Sequence, residues 1–112
     1  MNISNINTTH RKAMELAEDG EFLKRQDEIE FSLIKFYEAF QLEKSAFEQL
    51  ISSEVEGTTL EPTKSIICQS AMYLSESANK SAEGLILAEY LVNNSPYSEC
   101  VNNAKEFIKD HS

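Results

Sequence analysis

The sequence predicts an all-α domain of about five helices, arranged as two helical hairpins followed by a capping helix. Three observations carry that prediction. The 112 residues include only three glycines and two prolines, too few to punctuate a many-stranded β domain. Apolar residues make up 41% and charged residues 26%, ordinary globular proportions that argue against wholesale disorder. Apolar side chains also recur at three- and four-residue steps through long segments free of helix breakers. At this length one domain is expected. The division is a flexible N-terminus over 1–8 and a single helical domain over 9–112, built from a hairpin over 9–53, a loop over 54–61, a hairpin over 62–94 and a capping helix over 96–110.

Residues 1 to 8 are polar and read as a loose end. Thr8 or Thr9 is placed to cap a first helix from about His10 to Arg25, with Ala13, Leu16, Ala17, Gly20 and Leu23 on one face. Gly20 costs about 1 kcal/mol against alanine inside a helix, which is tolerable where a neighbouring helix must come close. Asp27 is a candidate cap for a long second helix, from about Glu28 to Ser52. One stripe of that helix is Ile29, Leu33, Phe36, Phe40, Phe47 and Leu50, and a partial second stripe holds Phe31, Ile34, Tyr37 and Leu42. Two stripes demand neighbours on more than one side.

The segment SSEVEGTTLE, residues 52 to 61, reads as the loop and the best candidate for a mobile segment. Pro62 suits the first position of a third helix ending near Ala78, since its missing N–H is not needed there. From Ser65 to Ser75 this helix carries no charged side chain, as expected of a helix buried on nearly all sides. A fourth helix is expected over Ser81 to Asn93, with Gly84, Leu87 and Leu91 on one line and Leu85, Ala88 and Val92 on another. Ser95 and Pro96 then read as cap and first residue of a fifth helix, to Lys109. Its face of Tyr97, Cys100, Val101, Ala104, Phe107 and Ile108 opposes Glu99, Asn103, Glu106 and Asp110, the pattern of an end cap on a helical stack.

Ten basic and nineteen acidic residues give a net charge of −9. Between Ala13 and Glu61 thirteen acids face only Lys24, Arg25, Lys35 and Lys44, so the excess sits in the first half. That balance opposes nucleic-acid and anionic-membrane binding, both of which need clustered Lys and Arg. No apolar run reaches 18 residues, and MNISNINTTHRK lacks the basic end and apolar core of a secretory signal, so a cytoplasmic chain is expected. Cys68 and Cys100, far apart in sequence, read as small apolar residues on buried helix faces.

Chemistry finds little foothold. Neither His10 nor His111 has a glutamate three residues before it, so no diiron motif is present, and two distant cysteines do not make a zinc site. His10 reads as an exposed first-turn residue. EGTTLEP lacks the spacing and lysine of a phosphate loop, and no G-x-S-x-G elbow occurs. No catalytic residue, metal or cofactor is assigned, and the chain is expected not to be an enzyme.

The two hairpins share a grammar. Leu16, Gly20 and Leu23 followed by Ser32, Phe36 and Ala39 recur as Cys68, Met72 and Ser75 followed by Gly84, Ala88 and Leu91, with Pro96 closing the second unit. This resembles the tetratricopeptide repeat, a 34-residue helix–turn–helix unit whose copies stack. Lys44 stands where the first unit's closing proline would fall, Met72 replaces a small residue, and tryptophan is absent. Glu61, Pro62, Thr63, Lys64, Ser65, Ser70, Ala71 and Pro96 also look like the C-terminal half of a small bacterial family with two tetratricopeptide-like units and no assigned activity. The resemblance implies a fold and a style of interaction, and the function expected is a non-catalytic adaptor or regulatory subunit that binds a protein or peptide in a groove lined, as in the resembled repeat, by the first and third helices. The candidate contacts are Leu16, Asp19, Leu23, Lys64, Gln69 and Tyr73. Two other readings stand beside it. One is a homo-oligomer, such as a homodimer, using the second stripe of the long helix, and the other is an acidic mimic of nucleic acid that occupies a basic groove.

Overall fold

The computed structural model describes residues 3–54 and 60–112, and those residues form five α-helices in the expected order. They are α1 (Ile3–Arg25), α2 (Ile29–Ser53), α3 (Thr63–Ser77), α4 (Ser81–Asn94) and α5 (Ser98–His111). Among the described residues there is no strand. Each helix packs on the next, and α3 reaches α5 as well, so α3 is the middle of the stack. The result is a slab of 48 × 33 × 19 Å. Residues 55–59, most of the expected loop, lie outside the described residues, as do the first two of the expected flexible end.

The first helix starts well before His10. Residues 3 to 8, read from sequence as loose, belong to α1, and Ile6 is buried in the core. One apolar side chain in a polar run is a weak signal, but it lands on the same face as Ala13, which is also buried. Thr9 caps nothing. Its hydroxyl donates to the Asn5 carbonyl one turn back, at 2.9 Å, as threonines inside helices do.

The hairpin turns are built alike. Asp27 and Asn79 both take the left-handed conformation, with φ of 61° and 60°. In the first turn the Asp27 N–H donates to Lys24 and the Glu28 N–H reaches back to Leu23. In the second, Asn79 donates to Glu76 and Lys80 to Ser75. This is the Schellman closure of a helix C-terminus, and Asp and Asn adopt its left-handed position more readily than other non-glycine residues. Asp27 therefore ends α1, whereas the sequence suggested that it begins α2. Likewise Ser95 does not open a helix at Pro96. Its hydroxyl accepts the Tyr97 N–H, and α5 begins only at Ser98.

Close approach of the paired helices accounts for two glycines. A methyl group on Gly20 would meet the Phe36 ring at 3.0 Å. On Gly84 it would collide with the Ser75 hydroxyl and lie 2.7 Å from the Phe107 ring. In the first hairpin the Ser32 hydroxyl donates to the Gly20 carbonyl at 2.9 Å, tying α2 to α1 at that crossing.

The long helix is only half buried. Phe36, Ala39, Phe40, Ala46, Phe47 and Leu50 enter the core, but Ile29 and Leu33, the start of the same stripe, are exposed. Phe31, Ile34 and Tyr37 of the second stripe are exposed too. The core thus continues from α2 into α3, where Ile67, Cys68, Ala71, Met72 and Leu74 are buried. The uncharged run of α3 is covered on the sides facing α2, α4 and α5, yet Ile66 and Tyr73 are open to solvent, so α3 keeps one free face.

The Glu-Pro-Thr-Lys-Ser stretch has a local purpose. Glu61 accepts the Ser65 N–H at 2.8 Å and the Ser65 hydroxyl at 2.9 Å, satisfying donors of the first turn of α3. The same Ser65 oxygen lies 2.9 Å from Ser95 Oγ, and the Lys64 ammonium donates to Glu54 at 2.6 Å. The start of α3 is thereby pinned to the ends of α4 and α2.

Candidate functional site

A groove of about 870 Å³ lies between α1 and α3. On α1 it is lined by Met14, Ala17, Glu18, Glu21, Phe22 and Arg25, a run at three- and four-residue steps, with Asp19 at its edge. On α3 the lining is Ser70, Tyr73, Leu74 and Ser77, again at helical spacing. Phe36 of α2 forms the floor between them. Two helices that diverge over a third leave such a trough, and its base is apolar because both present the borders of their core faces. Phe22 is 56% exposed and Tyr73 44%, large exposures for aromatic side chains.

The rim is acidic. Glu18, Asp19 and Glu21 stand along it with Arg25 as the one base. A smaller cleft of about 240 Å³ continues past Tyr73 between α3 and α5, lined by Glu76, Asn103, Glu106, Phe107 and Asp110. Tyr73 lines both hollows and so joins them into one face formed by α1, α3 and α5. Its phenol is pushed above the ordinary value, first by burial and then by the carboxylates of Glu106, Glu76 and Glu99.

Of the six residues named from sequence, the groove brings together Asp19 and Tyr73. Leu16 is half-buried and turned to another shallow cleft, with Lys12, Glu38, Gln41 and Leu42. Leu23 is half-buried beside the first turn, where its carbonyl accepts the Glu28 N–H. Lys64 is buried, bound to Glu54, and 5.8 Å from the Tyr90 ring centre. Gln69 accepts a hydrogen bond from the Asn103 amide at 3.2 Å, linking α3 to α5. Met14, Glu18, Glu21, Phe22 and Arg25 escaped the reading because their stripe alternates apolar and charged residues. A search for apolar lines alone passes over it.

Among the described residues one carboxylate is buried, that of Glu43. Glu43 is wholly enclosed, and both of its oxygens face His10 Nδ1, at 2.7 and 2.9 Å. Ser70 of α3, which also lines the groove, acts on the same carboxyl and helps to lower its pKa. Burial drives the Glu43 pKa above its ordinary value, although Ser70 and His10 work against the rise. His10 is therefore not the exposed first-turn residue expected, but a partly buried tie between α1 and α2.

Neither cysteine is poised for nucleophilic attack. Cys68 is enclosed, its thiol directed to the Leu87 carbonyl, and burial pushes its pKa up to about 12. Cys100 is also buried and raised by the same cause. No cluster of three or more His, Cys, Asp or Glu side chains with the geometry to hold a metal ion occurs among the described residues. Nor is any described helix long and apolar enough to cross a membrane. Comparison of the chain with family models, with curated proteins and with solved structures finds no match to any of them, so the groove is interpreted from its own geometry.

Proposed function

We propose that this protein is a non-catalytic interaction module, an adaptor or regulatory subunit, whose α1/α3 groove receives a segment of a protein partner. The observation that carries the reading is the pairing of exposed Phe22 and Tyr73 across an apolar trough, on helices held rigidly by α2 beneath. Large aromatic side chains left open in a concave site are the usual anchors of protein recognition. The resemblance to tetratricopeptide repeats adds support, because alternate helices line the concave face there as α1, α3 and α5 do here. The two units are spaced more widely than 34 residues, since α2 runs on past the position of the usual closing proline.

The test is affinity capture from cells expressing the chain, with the wild type beside a Phe22→Ser/Tyr73→Ser variant. Both positions are exposed, so the variant keeps its helical spectrum and melting temperature within a few degrees. Partners recovered with the wild type and lost with the variant support the groove. Identical recovery with both counts against it.

A second reading is favoured by a different surface. Ile29, Phe31, Leu33, Ile34 and Tyr37 are exposed together on the first half of α2. A homodimer through this half-helix would cover them, and scattering mass across a concentration series decides the point.

A further inference from the structure

We propose that the segment received by the α1/α3 groove is a basic amphipathic helix of another protein, its apolar ridge on Phe22, Phe36 and Tyr73 and its Lys or Arg side chains on the carboxylates of α1. This deepens the interaction-module reading and rests on it. The shape argument comes first. The α1 side runs from Met14 to Arg25, about 17 Å at 1.5 Å per residue, and both walls are helices whose side chains recur every three to four residues. A partner with ridges at the same period interdigitates with such walls, as helices do with one another. An extended strand, with side chains alternating every two residues, does not.

The charge argument decides the sign. Among the described residues Glu18, Asp19 and Glu21 take part in no ion pair, whereas Glu43, Glu54, Glu76 and Glu83, for example, do. Glu106 and Asp110 extend the same sign across the neighbouring cleft. Carboxylates beside an apolar, low-dielectric trough act more strongly on an incoming charge than they would on an open surface. The Tyr73 phenol at the centre of this face is raised first by burial and then by the nearby carboxylates of Glu106, Glu76 and Glu99, which carry the same sign. A second copy of the chain, carrying the same net charge of −9, is repelled from it, and so are acidic peptides.

Two synthetic peptides of 14 residues test the proposal, each with leucines at i, i+3, i+4 and i+7. One carries lysines on the flanks of the apolar stripe and the other glutamates, and both are titrated by fluorescence anisotropy against the full chain. The lysine peptide is expected to bind at least about tenfold tighter at low salt. That advantage should shrink at high salt, and it should be lost in a Glu18→Gln/Asp19→Asn/Glu21→Gln variant. The Phe22→Ser/Tyr73→Ser variant should weaken the lysine peptide at every salt concentration. Equal binding of the two peptides overturns the basic partner while leaving the groove as a peptide site. Lysine-peptide binding that ignores the Phe22 and Tyr73 changes is surface attraction only, and it overturns the groove itself. If neither peptide binds, both the groove and the basic helix are refuted.

Discussion

His10 Nδ1 lies 2.7 Å from one oxygen of the fully enclosed Glu43 carboxyl and 2.9 Å from the other, a polar tie between α1 and α2 within the first hairpin. Ser70 of α3 also helps to lower the pKa of that carboxyl. Residues of three helices therefore act on one buried carboxyl. A buried acid of this kind is tolerated only while its oxygens stay paired.

Replacing Glu43 separates its shape from its charge. Glu43→Ala removes a buried side chain and strands its partners, at a cost of about 2–4 kcal/mol. Glu43→Gln keeps the shape, and its effect depends on pH. The carboxyl's folded pKa is raised above 4.5, so its contribution to stability is fully present below that pH and is lost as the pH rises through the folded value. The Gln variant lacks this slope and should gain on the wild type between pH 4 and neutrality, as read from urea midpoints. If the wild type gains instead, the ionised Glu43–His10 pair is the stabilising form.

The two glycines at the helix crossings predict unequal penalties. A Gly20→Ala methyl meets only the edge of the Phe36 ring at 3.0 Å, and the helix propensity of alanine returns about 1 kcal/mol. Its net effect should fall within about 1 kcal/mol of zero. At Gly84 the methyl collides with the Ser75 hydroxyl, whose own bond to the Met72 carbonyl holds it in place, and it crowds Phe107 of α5. Gly84→Ala should cost at least about 2–3 kcal/mol, with α5 loosening first in hydrogen exchange. Equal melting temperatures for the two variants would show that α3 and α4 can separate at no cost.

The architecture could be read from residue periods because burial along α3, α4 and α5 follows simple apolar lines. Ala71, Leu87, Leu91, Ala104 and Phe107 lie where those lines put them. What escaped had other physical causes. The early start of α1 depends on one residue, Ile6, reaching a core that only the folded chain provides. The Glu43–His10 tie joins residues far apart in sequence, and a buried acid has no local signature among so many exposed ones. The first turn was misread because Asp27 suits a helix start and a left-handed helix end equally well by composition. The groove stripe on α1 was hidden by its charges. Those same charges now give its sign.

A charge placed on α3 should discriminate sharply between its faces. Ala71 is completely buried between neighbouring helices. Ala71→Glu would enclose an unpaired carboxylate at a cost of about 3–5 kcal/mol, a large part of the 5–15 kcal/mol that holds a typical domain together. Tyr73→Gln, two residues away on the open face, should change stability by less than about 1 kcal/mol. Thermal melts followed by circular dichroism compare the two directly. An Ala71→Glu variant with native melting would remove α3 from the centre of the stack.

The contact between Lys64 and Glu54 should leave its mark on stability as a function of pH. Glu54 is held below its ordinary value of 4.5, first of all by the hydrogen bond from Lys64. Burial works to lower the Lys64 ammonium, but the hydrogen bond to Glu54 and the neighbourhood of Tyr90 outweigh it, and Lys64 is held above 10.5. A depressed acid contributes stability above its unfolded pKa and loses it as the pH falls through the folded value. A raised base contributes below its unfolded pKa and loses it as the pH climbs past the folded one. The pair therefore stabilises the fold between about pH 4.5 and 10.5. Lys64→Met retains the buried stem without the charge. Its deficit against the wild type should be present at neutral pH and close as the pH drops below 4.5. A deficit that stays constant from pH 7 down to pH 3 would mean that Lys64 anchors the start of α3 by packing alone.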